Sequence, residues 1–221
     1  MDEQRKNEQR KFAFSSLILF LGAFLIHAYL TPNALFMSAV RSNNVDKAIF
    51  MMNLGMSADS YHEQMSVLMA AVAYADMPMV QLLLENGADP NKISLGDTAL
   101  HQAVAVGRID MVKLLLQYGA SVYSVNNEGA TPLHWSASQS NTEITLFLIE
   151  QGADLNARAI TGASVLHFAA LSDQPEQIKI LLENGAQLDA KTNGGRTPLD
   201  VARDEGSVNS ITILKRLLEE R

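Results

Sequence analysis

Cysteine is absent from the 221 residues. Disulfides, thiolate metal sites and cysteine nucleophiles are therefore excluded, and nothing in cysteine usage marks the redox compartment. Concentrated positive charge is missing too. The 17 Lys and Arg stand against 24 Asp and Glu, the formal net charge is -7, and no basic run offers phosphates an electrostatic footprint. Nucleic acid is not an expected partner. No nucleophile–base pair, phosphate-cradling glycine loop or metal-ligand cluster can be picked out. His62-Glu63 lacks the second histidine of a zinc-protease helix. The expectation is a non-enzymatic chain with no catalytic, cofactor or metal residues and no small-molecule substrate. What is present in quantity is apolar side chain, 48% of the sequence, enough for a sizeable core.

Part of that apolar content sits in one block. Phe12 to Leu30, FAFSSLILFLGAFLIHAYL, is uncharged throughout, and as a helix it spans roughly 28 Å, close to the ~30 Å hydrocarbon core of a bilayer. It follows a charged head at residues 1–11 containing Arg5, Lys6, Arg10 and Lys11. Only Arg41 and Lys47 follow closely on the other side, so the positive-inside rule places the head in the cytoplasm and everything beyond Leu30 outside it. That compartment is the periplasm if the source is bacterial. A cleavable signal peptide ending at Ala28 has the same polarity. The run exceeds the usual ~7–15-residue apolar core of such a peptide, and His27 and Tyr29 suit a headgroup boundary. The expectation is an uncleaved signal anchor, a single transmembrane helix at 12–30.

The remaining residues, 31–221, repeat themselves. GDTALHQAVAVG starts at Gly96, GATPLHWSASQS at Gly129, GASVLHFAALSD at Gly162 and GRTPLDVARDEG at Gly195, each 33 residues after the last. A second glycine series runs through Gly55, Gly87, Gly119, Gly152 and Gly185. Within a period, Thr131 suits an N-cap and Pro132 the first helical position, where its missing N–H costs nothing. A second helix follows from apolar residues at i, i+3 and i+4: Val80, Leu83, Leu84; Val112, Leu115, Leu116; Ile178, Leu181, Leu182. The second glycine series falls where a left-handed helix cap is needed, and the first at a loop tip needing positive φ.

These elements, TPLHWSA and GADLNA above all, resemble the ankyrin repeat. The resemblance implies an all-α solenoid of about six helix-turn-helix units, near 32–63, 64–95, 96–128, 129–161, 162–194 and 195–221, with loops projecting between them. It implies that His101, His134 and His167 hydrogen-bond backbone around the turn and into the adjacent unit. Three equivalent positions also demand a structural role rather than one catalytic site, and a repeat width on the order of 10 Å forbids a shared metal. Trp135 and Phe168, one unit apart, are expected to pack between units.

The ends depart from the pattern. Met37 and Met69 stand at the histidine position in units one and two, and Asp200 in the last. Unit one carries Phe36, Met37, Phe50, Met51 and Met52 where an end cap is usually solvated. Some must pack inward; with no linker after Leu30, the rest can rest on lipid or on another membrane protein. The loop DPNKISLG is one residue short, which displaces its tip around Ser94 and Leu95.

The resemblance implies protein recognition across an extended concave surface, through loop tips and the ends of first helices. Those positions hold Ser94, Leu95, Asp97, Asn127, Glu128, Ile160 and Arg196, with Tyr74, Val106, Gln139 and Leu171 along the helices. Tyr74, Val106 and Leu171 are apolar where polar residues are tolerated. The expected function is a membrane-tethered adaptor or regulator that binds another protein. The alternatives are an immunity-type inhibitor occluding an enzyme or toxin, and a secreted binding protein after cleavage at Ala28.

Overall fold

A computed structural model describes residues 32–220. The charged head at 1–11 and the apolar run at 12–30 lie outside the described residues. Within them no helix is long and apolar enough to cross a membrane.

The described residues form six consecutive helix pairs: α1 Pro32–Arg41 with α2 Val45–Asn53, α3 Val67–Tyr74 with α4 Met77–Glu85, and α5 Ala99–Ala105 with α6 Ile109–Gln117. There follow α7 Pro132–Ala137 with α8 Thr142–Glu150, α9 Val165–Leu171 with α10 Pro175–Glu183, and α11 Pro198–Glu205 with α12 Val208–Glu219. The only strands among the described residues, β1 Tyr61–His62 and β2 Met65–Ser66, pair antiparallel as a two-residue hairpin finger. First helices stack on first helices along the whole series, and second helices from α4 onward stack on second helices.

The apolar triads read from the sequence face this stack. Val80, Leu83, Val112, Leu115, Ile178 and Leu181 are fully buried. One continuous core runs from Phe36 to Leu214, so each unit buries its apolar face only with its neighbours. The helix-end glycines, Gly55, Gly87, Gly119, Gly152 and Gly185, all have positive φ, as that cap requires. Gly162 shows why a loop-tip glycine is needed: at φ +77° a Cβ would stand 2.6 Å from the Asn193 backbone nitrogen.

The loops are hydrogen-bonded fingers, each tied to the next. The Ile160 N–H donates to Glu128 C=O and the Asn193 N–H to Thr161 C=O, both at 2.9 Å. At the short loop the Asn127 N–H instead reaches the carbonyl of Gly96 itself. Here the missing residue changes the turn type. Asn126 pairs with Ala130 around a three-residue tip closed by Gly129, but Ser94 and Asp97 exchange both backbone bonds around only two residues. Those two, Leu95 (φ 54°) and Gly96 (φ 95°), are both left-handed, the signature of a type I′ turn. The displaced tip read from sequence is this change of turn.

The sequence reading placed Ser94 on an exposed tip; it is buried. Its hydroxyl accepts the Ser66 N–H at 2.8 Å and donates to Gln64 C=O at 3.0 Å. Ser66 is the N-cap of α3, whose third residue is Met69 rather than histidine. Ser94, from the neighbouring finger, therefore satisfies the amide that an imidazole satisfies in later units.

At the chain's far end Ile213 and Leu214 are buried while Lys215, Arg216, Glu219 and Glu220 are exposed, a solvated cap. Unit one is different: Phe36, Met37 and Met51 pack inward, but Phe50 remains 59% exposed.

Candidate functional site

The histidines come first because they set the scaffold of the site. His134 is the third residue of α7, whose N-cap is Thr131. Its Nδ1 faces the Thr131 hydroxyl at 2.9 Å and accepts the Thr131 N–H at 3.1 Å. The proton is therefore on Nε2, which donates to Ala163 C=O in the next unit at 3.4 Å. His101 does the same between Thr98 and Ala130 C=O (2.9 Å), and His167 between Ser164 and Arg196 C=O (2.9 Å). Each imidazole closes a helix start and bridges to the next finger.

Burial disfavours the imidazolium in all three and outweighs the carbonyl acceptors that favour it; His134 is pushed down to about 4. They are neutral rings at pH 7. His134 also meets the Phe168 ring edge-on at 4.9 Å, and His101 meets Trp135 at 6.4 Å. Phe168 and Trp135 pack between units, as expected from their repeat position. The series ends at Asp200, whose carboxylate accepts the Thr197 N–H and hydroxyl. Among the described residues Asp200 bridges to no further unit, and its carboxylate completes the capping half of the role.

On this frame lies a groove of about 580 Å³ between the finger tips and the first helices. Its apolar wall is Ile160, Phe168, Leu171 and Val201, and Asn127 and Thr161 stand at its rim. Ile160 is 69% and Leu171 45% exposed. Four of the residues proposed from sequence, Asn127, Glu128, Ile160 and Leu171, thus share one depression. Phe168 and Val201 belong to it as well, which sequence spacing alone did not reveal; their repeat-equivalent positions, on the open side of α9 and α11, were the available signal.

The other proposed residues are dispersed. Tyr74 is exposed at the end of α3, with the Arg41 guanidinium 5.8 Å from its ring centre. Val106 is exposed at the end of α5, and Leu95 is exposed at its tip. Gln139 is half-buried, and its carbonyl accepts from the buried Gln177 amide at 2.8 Å. Asp97 is half-buried and occupied structurally, accepting from Asn126 Nδ2 at 2.9 Å. Arg196 is exposed and ion-paired with Asp204. None of these six lines the groove. Among the described residues no cluster of three or more metal-ligating side chains occurs.

Stacked helix pairs, capped by histidine and joined by hydrogen-bonded fingers, define a helical repeat protein. Family models for ankyrin repeats match residues 68–159 and 148–202, together more than half of the chain. The chain belongs to the ankyrin-repeat family, whose repeats serve as protein–protein interaction modules. No curated protein matches it.

Proposed function

We propose that the chain is a non-enzymatic, membrane-tethered binding protein that captures another protein in the Ile160–Leu171 groove. The observation that supports this most directly is the groove wall itself. Two large aliphatic side chains stand in water beside the half-buried Phe168 and Val201, the composition that forms the centre of recognition surfaces. Asn127, Glu128 and Thr161 supply a polar rim that can fix register. In this reading residues 12–30 are the anchor, and the basic head holds residues 1–11 in the cytoplasm with the repeats facing out.

A photo-crosslinking side chain placed at Ile160 or Leu171 in intact membranes tests the binding reading. It should trap one partner, and Ile160→Asp with Leu171→Asp should abolish trapping of that partner from Tyr74 while circular dichroism is unchanged. Trapping only from the far side, at Leu146, would reject the groove. Paired reporter fusions at the carboxyl end, one of them active only outside the cytoplasm, test the orientation.

A further inference from the structure

Repeat equivalence shows that the first helix pair presents an interface with no repeat against it among the described residues. Leu35 aligns with Val67, Ala99, Pro132 and Val165, all buried, yet is itself exposed. Phe50 aligns with Leu82, Leu114 and Phe147, and that position looks back toward the preceding unit: Lys113 of the unit before stands 5.3 Å from the Phe147 ring centre. Ile49 and Leu54 add exposed apolar surface on α2 and at its end, Leu54 at 67%. Ile49 aligns with Gln81, Lys113, Leu146 and Lys179, all exposed, so its side chain lies on the open flank of the first pair and extends the apolar surface there. Lys47, aligned with the buried Met79, Met111 and Ile144, puts an ammonium group on the same end.

We infer that this end face docks on the lipid surface, at the boundary of headgroups and acyl chains. The inference rests on the anchor reading above. Thr31 is the only residue between Leu30 and the start of α1 at Pro32, so the first helix begins within about 7 Å of the end of the apolar run. At that reach the first unit lies in the interfacial zone. Four apolar side chains with a lysine beside them form the amphipathic surface that inserts shallowly and meets anionic headgroups. The run itself is a poorer cover for the face: uncharged all round, it would leave its own outer side in water.

The absence of cysteine makes the test direct. Single variants Ile49→Cys, Leu54→Cys, Gln81→Cys and Val208→Cys of the full chain carry an environment-sensitive fluorophore. They are reconstituted into vesicles of phosphatidylethanolamine and phosphatidylglycerol. Gln81 is the exposed equivalent of Ile49 one unit further on, and Val208 is exposed at the far end. Shallow lipid-borne nitroxide should quench positions 49 and 54 severalfold more than 81 and 208, and Phe50→Asp should reduce quenching at 54. Equal quenching at all four overturns the inference, as does shielding of 49 and 54 from both lipid-borne and aqueous quenchers, which means protein covers the face. If the chain floats with vesicles while 49 and 54 stay open to aqueous quencher, docking fails and the anchor stands. If the chain does not float with vesicles, both fail.

Discussion

A buried imidazole that accepts a backbone N–H at Nδ1 has no room for a second proton. Protonating His134 would set an Nδ1–H against the Thr131 N–H at a site already desolvated. Burial above all holds the folded-state pKa at about 4, below the ordinary value of 6.5. Protons bind the unfolded ring more readily, so this contribution is fully present above about pH 6.5. It shrinks as pH falls toward about 4 and is gone below that; for His134 it amounts to roughly 3 kcal/mol. His101 and His167 shift in the same direction. Asp200, held below the usual carboxylate range first by the Thr197 N–H, loses its contribution only at lower pH. Urea unfolding should show stability declining between pH 6.5 and 4. The variant His134→Leu should be about 2–3 kcal/mol less stable at pH 7, because the Thr131 N–H is left without an acceptor, and its pH profile should be flatter. A variant whose slope matches the parent would remove His134 from this account.

At the level of the finger, one deleted residue forces Leu95 into a conformation that leucine disfavours by about 1–2 kcal/mol. Its side chain, 54% exposed, recovers little of that through packing. Asn-Gly is the preferred pair for the two-residue turn formed by Leu95 and Gly96. Leu95→Asn should therefore stabilise the protein by roughly 1 kcal/mol, read as a higher urea midpoint at unchanged slope. If it also weakens partner capture, the strain at Leu95 is kept for recognition; a lower midpoint would mean the leucine packs in a way its exposure does not suggest. The helices around this finger were legible in sequence because their signals are local: a capping residue, a proline at the first turn, apolar triads and a glycine stop. The shortened loop was legible as a count, and its conversion to a different turn was not. Nor was the position of Ser94, because its burial depends on Ser66, 28 residues away, and on Met69 standing where other units have histidine. The groove was half legible. Ile160 and Leu171 stand out as apolar residues at a tip and a helix end, whereas Phe168 reads as inter-unit packing and Val201 does not stand out at all until the two helices are seen side by side.

Along the molecule the ties between units are unevenly distributed. Three successive junctions carry an imidazole bridge, from His101, His134 and His167. Between the fourth and fifth units the buried Gln177 amide adds bonds to the carbonyls of Ser136, Gln139 and Asn141. The second junction, where Ser94 ties adjacent fingers in place of an imidazole, is crossed by Arg108 donating to Ala75 C=O and by Asn91 bonded to Gly119 and Ser121. The first has no imidazole bridge: Asn43 bonds Asp76 and Tyr61 donates to Ile93 C=O, both exposed, Lys92 pairs with Asp59 in the loops, and Arg41 contacts the Met65 sulfur. In a stack whose stability is a sum of unit and nearest-neighbour terms, opening should start where those terms are smallest. Amides of α1 and α2 should exchange with deuterium roughly tenfold or more faster than those of α7 and α9, which corresponds to about 1.4 kcal/mol or more of local stability. Reconstituting the full chain in vesicles should slow α1 and α2 selectively, because lipid then supplies the neighbour that the end face of Leu35 and Phe50 lacks among the described residues. Uniform protection across the stack would show that the histidine bridges do not grade its stability. Equal slowing of all units in vesicles would show that the bilayer does not single out the first.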